Sequence, residues 1–317
     1  MSQFRCPLCG GVLTETRSGL RCPAGHCFDR AKEGYVNLLP VNRKHSRAPG
    51  DDKGMVAARR AFLEKGWYAP LRETLAALAV ELTGSAPAVL DAGCGEGYYT
   101  GGVREALLNA GKTPEVAGID ISKAALQRAG KRYPGIAFAV ASAYRLPAAD
   151  GSVDLLLNVF SPLAIEEFRR VLKPGGVYLY VVPGARHLWE LKEILYERPY
   201  PNEEKETPYE GFAYDRIVPV DYTIRLPGQE DIHALFQMTP YYWKTPKEGT
   251  ERLARLKELD CRISFQVHVF RRESIKNPAA RFKAAPAPPV LFSVTKPAAV
   301  PAPAAAPRPL PPDTADR

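Results

Sequence analysis

The strongest constraint in this sequence is a ligand set near its start: Cys6-Pro-Leu-Cys9, then Cys22-Pro-Ala-Gly-His26. The spacing is C-x2-C, a gap of twelve, then C-x3-H. Two close pairs of soft or borderline ligands suit tetrahedral zinc, which takes thiolate sulfur and imidazole nitrogen. Each pair sits on a short turn and can grip the metal from one side. Cys27 is an alternative to His26, although His26 is the expected fourth ligand. Pairing these cysteines as disulfides needs an oxidising compartment, which nothing in the sequence suggests.

A second constraint lies further along, at Val89-Leu-Asp91-Ala-Gly93-Cys-Gly95-Glu96-Gly97-Tyr98. A short apolar strand runs into a glycine-rich turn and then a helix. Glycine lets the backbone turn sharply and lets a ligand approach it. Val116-Ala-Gly-Ile-Asp120 follows, a second strand ending in an acid 23 residues past Gly97. An acid there accepts both hydroxyls of a ribose. The dinucleotide fingerprint G-x-G-x-x-G seats a pyrophosphate. This D-x-G-x-G-x-G turn resembles instead that of S-adenosylmethionine-dependent methyltransferases, whose cofactor carries no phosphate.

Strands and helices alternate from Val89 onward, which predicts an α/β, Rossmann-like, doubly wound sheet behind a small zinc-binding domain. A third strand ends at Ser142-Ala143, where this fold commonly flanks the adenine. A fourth, Val153 to Phe160, runs into Ser161-Pro162, where the fold places target-base contacts. Lys173-Pro-Gly-Gly176 reads as a structural turn, with proline stopping a helix and glycine supplying a left-handed residue. Residues 57–82 read as helical with an interruption near Gly66 and Pro70, and the polar stretch 40–56 as a connecting loop.

Charge is unevenly placed. Residues 1–60 hold eleven Lys and Arg against five Asp and Glu, six of the chain's net +8 charges. A basic N-terminal sixth suits a polyanion such as RNA. Lys44, His45 and Arg47 are candidate phosphate contacts. From Pro278 to Arg317 there are 11 prolines in 40 residues, and such a segment is expected to be a disordered or polyproline-like tail. The chain has no run of about 18 apolar residues and no apolar signal core in MSQFRCPLCG, so it is expected in the cytoplasm with no membrane partner. The division expected is 1–38 zinc-binding, 39–82 linker and helix, 83–275 methyltransferase and 276–317 tail.

Residues 4–275 resemble the bacterial 23S rRNA (guanine-N1)-methyltransferases. The matching strings include CPLCGG, GHCFDRAKEGYVNLLPV, VLDAGCGEGYYT, VLKPGG, PGARHLWELK and QMTPYYWK. AKEGYVNLL beside the C-x2-C/C-x3-H site is far more specific than the glycine turn. The resemblance implies zinc on Cys6, Cys9, Cys22 and His26. It implies S-adenosylmethionine held by Tyr68, Gly95, Glu96, Gly97, Tyr98 and His187, with Asp120 on the ribose and Asp91, Gly93, Ser142 and Ala143 in the same pocket. It also implies a homodimer that grips a 23S rRNA hairpin, helix 35, and modifies one of two nearby guanines. One such modification contributes to macrolide resistance.

Transfer to guanine N1 requires that nitrogen to lose a proton, so help from a general base is expected. The sequence shows no obvious base. Asn158 and Ser161 are the expected catalytic residues, orienting the purine edge after it leaves its loop. Trp67, Trp189 and Trp243 could stack on bases, but two of the three are expected in the core. Two other classes remain open: a small-molecule methyltransferase of similar fold, which would need no zinc module, and a non-catalytic RNA binder with a relict pocket.

Overall fold

The structure is a computed structural model that describes residues 4–40, 53–204 and 208–274. Lys44, His45 and Arg47 and the Pro/Ala segment 276–317 lie outside the described residues.

The N-terminal module is a three-stranded antiparallel sheet, β1 (Thr14–Glu15), β2 (Gly19–Arg21) and β3 (Cys27–Asp29). Two turns carry the ligand pairs. In one, Gly10 N–H donates to Cys6 O; in the other, Gly25 N–H donates to Cys22 O. Gly10 (φ 73°) and Gly25 (φ 85°) are both left-handed, a conformation that glycine adopts without the steric cost other residues meet.

The module then joins the main sheet. Its last strand, β4 (Val36–Asn37), pairs in parallel with β7 (Ala137–Val140). Arg5 N–H donates to Pro147 O and Leu38 N–H to Val140 O.

Two helices follow, α1 (Lys53–Glu64) and α2 (Ala69–Leu82). The interruption expected near Gly66 and Pro70 is present: Gly66 is left-handed at φ 79°, and a proline opens α2, where its missing N–H costs nothing. The first helix begins at Lys53, inside the stretch 40–56 expected to be a connecting loop. Val56, 2% exposed, explains this, because the helix buries an apolar residue the polar surroundings obscured.

The remaining elements in chain order are β5 (Ala88–Ala92), α3 (Tyr98–Asn109), β6 (Glu115–Asp120), α4 (Lys123–Arg132), β7, β8 (Val153–Val159), α5 (Ile165–Val171), β9 (Leu172–Pro183), α6 (Trp189–Leu195), β10 (Phe212–Leu226), α7 (Gln229–Gln237), α8 (Lys247–Ala254) and β11 (Leu259–Arg272). They form an eight-stranded sheet in the order β10-β11-β9-β8-β5-β6-β7-β4. β4 to β9 pair in parallel, while the long antiparallel pair β10–β11, joined through α7 and α8, adds antiparallel to β9 through β11. Chain order reverses between β5 and β8. In open α/β sheets this switch point is where ligands bind, beyond the carboxyl ends of the strands.

Alternate residues of the central strands face two cores. Val89, Leu155, Leu157, Val177 and Leu179 face the α2–α3 side. Leu90, Leu156 and Tyr178 face the other side, where they meet Phe168 of α5 and also Phe4, Leu13 and Leu20 of the zinc module. All are 5% exposed or less, so both faces of the sheet are covered and the strands read as continuous apolar runs. Residues 173–176, expected to be a turn, lie instead within β9, as a bulge between the residues paired with Val153 and Leu155. Gly175 is left-handed, and Lys173 Nζ donates to both oxygens of Asp154 at 2.8 Å, whose Oδ2 also accepts Ala88 N–H at 2.8 Å.

Candidate active site and metal centre

The sulfur and nitrogen atoms of Cys6, Cys9, Cys22 and His26 all lie within 4.8 Å of one another. His26 Nδ1 is 3.5 Å from Cys6 Sγ and 3.3 Å from Cys22 Sγ, and the sulfurs of Cys9 and Cys22 are 3.6 Å apart. Metal–ligand bonds of about 2.0–2.3 Å give tetrahedral edges of roughly 3.3–3.8 Å, so the donor set fits zinc. His26 offers Nδ1, the nitrogen nearer its backbone. Burial opposes ionisation of the Cys22 thiol, but hydrogen bonds from the His26 backbone and the neighbouring ligands prevail and bring it down to about 7. Cys27 stands apart: it is exposed and its thiol donates to Gly25 O.

At the switch point the glycine turn packs between β6 and β8. Gly93 and Cys94 N–H both donate to Ile119 O. Gly95 N–H donates to Asp120 Oδ2 at 2.9 Å, and Ser122 N–H to Asp120 Oδ1 at 2.7 Å. Asp120 is therefore fixed in place by backbone donors from both sides. Gly93, Gly95 and Gly97 are all left-handed, with φ of 96°, 54° and 81°. A Cβ on Gly93 would stand 2.3 Å from Ser161 Cβ, and one on Gly97 would meet the rings of Tyr133 and Phe138. One on Gly95 would meet nothing within 4 Å. That open space lies where a cofactor would rest on the turn.

Asp91 is buried beneath the turn at 1% exposure. Its Oδ2 accepts the Thr100 hydroxyl at 2.6 Å, and its Oδ1 has no hydrogen-bond partner. Burial, against that hydrogen bond, raises its pKa to about 7. Glu96 is also buried, with Oε1 unpartnered, and desolvation raises its pKa although Arg132 and Arg128 oppose it.

A cleft of about 1690 Å³ opens from the turn. Ligand pockets are usually roughly 300–1,000 Å³, so it has room for more than one small molecule. Its wall includes Tyr68, Tyr98, Ser142, Ala143 and His187 with the turn residues Gly93 to Glu96 and Asp120. Asp91 and Gly97 lie behind that wall. Tyr68 packs edge-on against Phe62 and Phe265, each at 5.0 Å. Tyr98 opens α3, with the Arg72 guanidinium 5.4 Å from its ring centre. Ser142 Oγ accepts Tyr144 N–H at 3.3 Å. His187 is buried, and burial, helped by the Lys192 charge, lowers its pKa to about 3. Its Nδ1 accepts Ser264 N–H at 3.2 Å, so the neutral ring carries its proton on Nε2.

The two residues expected to be catalytic both bond to the backbone around the turn after β8. Asn158 is 0% exposed and does not line the cleft. Its Nδ2 donates to Pro162 O at 3.0 Å, which holds the turn after β8, while its buried Oδ1 has no hydrogen-bond partner. Ser161 does line the cleft, but its hydroxyl donates to Ala92 O, tying that turn to the end of β5. Between them stand the buried Val159 and a residue that sequence reasoning missed. Phe160 lines the cleft, is 49% exposed and is left-handed at φ 53°. A large aromatic at the end of strand four, before Ser-Pro, was the available signal. Of the tryptophans, Trp67 packs against the core and Trp189 is half-buried with its Nε1 donating to Glu193, while Trp243 is 64% exposed.

This strand order, with a glycine turn at the switch point and an acid closing β6, defines a class: an S-adenosylmethionine-dependent methyltransferase with a zinc ribbon. Two family models agree. The zinc ribbon described as RlmA, N-terminal, matches residues 4–47, and a methyltransferase domain matches residues 89–176. The 23S rRNA (guanine(748)-N1)-methyltransferase of Streptomyces fradiae is 36% identical over 278 residues, which are 83% of this chain and 95% of that protein. Candidate 23S rRNA (guanine-N1)-methyltransferases of Micromonospora griseorubida and Bacillus subtilis are 40% and 33% identical, over 62% and 84% of this chain and 70% and 96% of theirs. The chain belongs to the family of 23S rRNA (guanine-N1)-methyltransferases.

Proposed function

We propose that this chain transfers the methyl group of S-adenosylmethionine to N1 of a guanine in the helix 35 hairpin of 23S rRNA. One observation carries the reading. The cofactor turn and the zinc module, through Arg5, Pro7 and Gly10, open on the same cleft. A small substrate needs no such continuity, whereas a folded RNA strand needs a grip beyond the reacting base. Arg59 and Arg145 also line the cleft and add positive charge for phosphates. Among the described residues no helix is long and apolar enough to cross a membrane.

The residues divide the work by position. Asp120, set by Gly95 and Ser122 N–H, would take the ribose hydroxyls, and Gly95 leaves the space above the turn. Ser142 and Ala143 would flank the adenine, with Tyr68, Tyr98 and His187 completing the pocket. When bound, S-adenosylmethionine supplies an electrophilic methyl for in-line displacement. His187, neutral and protonated on Nε2, is a donor rather than a base. Asn158 and Ser161 act as positioning residues that hold the turn after β8. The working division is zinc-ribbon recognition by residues 1–38, a linker and helical segment at 39–82, and catalysis by 83–275. A cytoplasmic homodimer and a contribution to macrolide resistance belong to the same proposal.

The test is to incubate the purified chain with S-adenosylmethionine and unmodified 23S rRNA and to map reverse-transcription stops. A methyl on N1 blocks pairing. A new stop in the helix 35 hairpin is the expected result, and its position chooses the guanine. If no stop appears although the cofactor binds, the reading fails for naked rRNA.

A further inference from the structure

Among the described residues two non-glycine residues are left-handed, Phe160 and Leu188. The side chain of Leu188 is 1% exposed, so packing accounts for it. Phe160 has no such compensation, since half its ring faces solvent in the cleft. Bulky residues avoid this region of backbone space, and strain of this kind persists only where surrounding structure enforces it.

The enforcement is visible on both sides. Asn158 Nδ2 holds Pro162 O two residues beyond Phe160, and the Ser161 hydroxyl holds Ala92 O at the end of β5. The Ser161 side chain fits only because Gly93 has no Cβ. The ring is backed as well: it lies 5.1 Å from Phe265, tilted by 45°. Phe265 is 1% exposed and is wedged by Tyr68 at 5.0 Å and His187 at 4.5 Å. The result is an exposed aromatic face on a rigid mount, at the switch point and beside the cofactor turn.

We propose that Phe160 is the platform on which the acceptor purine stacks once it has left its loop, and that the left-handed backbone exists to present the ring. This rests on the function proposed above. Stacking on an aromatic ring is a major source of single-stranded base binding and tolerates any base, so specificity for guanine must come from polar groups elsewhere in the cleft.

The full-length chain is compared with Phe160→Gly, Phe160→Ala, Phe160→Leu and Phe160→Trp. The substrate is an in-vitro transcript containing the helix 35 hairpin. Single-turnover methyl transfer, S-adenosylmethionine affinity by calorimetry and thermal midpoints are measured. Transfer by the Gly, Ala and Leu variants should fall roughly tenfold to a hundredfold. Phe160→Trp should restore most of the loss, and cofactor affinity should stay within about twofold. Phe160→Gly should melt at or above Phe160→Ala, because glycine takes this backbone without strain.

Wild-type transfer rates in Phe160→Leu or Phe160→Gly overturn the proposal. So does a loss of cofactor affinity that matches the loss of transfer, which would assign the ring to the cofactor. A Gly variant less stable than the Ala variant removes the strain argument. A wild-type chain that leaves the transcript unmethylated sinks the parent reading, and this one with it.

Discussion

Asp91 shows how a buried carboxyl can be written into a binding turn. It sits under the glycines, half satisfied by Thr100, and its pKa of about 7 lies above the ordinary 3.8. Folding thus favours its protonated form. The stabilising contribution is full below about pH 3.8 and is lost as pH rises through 7. Asp91→Asn removes the titration, so the variant should gain on the wild type between pH 5 and pH 8. The expected gain is on the order of 3 kcal/mol, from about 1.4 kcal/mol per pH unit over the two units between pH 5 and the folded pKa of about 7. Urea midpoints of both proteins at the two pH values measure it. A difference independent of pH would mean that Asp91 is already ionised in the folded chain.

At the scale of the β5–α3 turn, two glycines with similar backbones have different duties. Gly93 combines φ of 96° with a Ser161 side chain that leaves no room for a Cβ. Gly93→Ala should cost on the order of 2–4 kcal/mol of stability. Gly95 has only the backbone strain, about 1 kcal/mol, because nothing stands within 4 Å of its Cβ position. Gly95→Ala should therefore melt close to the wild type yet bind S-adenosylmethionine at least tenfold more weakly. Thermal midpoints and calorimetric titrations separate the two. Equal stability losses would contradict this division between packing and ligand space.

Over the whole molecule, the zinc module and the methyltransferase sheet behave as one packed body. Leu13 and Leu20 are 0% and 2% exposed because they meet the same core as Leu90, Leu156 and Phe168, and β4 extends the sheet past β7. Each buried leucine contributes about 2 kcal/mol to that seam. Stripping zinc with a chelator, or making Cys22→Ser, should therefore lower the melting midpoint of one cooperative transition instead of adding a separate small one. Metal analysis should find one zinc per chain. Two resolved transitions would show that the module unfolds alone, despite the shared core.

The sequence by itself determined what depends on local spacing. The ligand pairs lie on turns of five residues, each with a glycine that the turn geometry requires. The D-x-G-x-G-x-G turn and the acid ending the next strand follow from their spacing along the chain, and the break at Gly66 and Pro70 follows from those two residues' backbone limits. Tertiary structure decided what depends on distant partners. β4 became an edge strand because β7, a hundred residues later, offered it a ladder. The β10–β11 pair turned antiparallel against β9 through β11, a pairing with no local signature. Asn158 and Ser161 were read as catalytic because their position at the end of β8 is a substrate position. In the fold the Asn158 Nδ2 and the Ser161 hydroxyl are taken by Pro162 O and Ala92 O, and Phe160, between them, is left exposed. Spacing places a residue at a site, but only the competition among neighbouring polar groups decides which side chain remains available to a ligand.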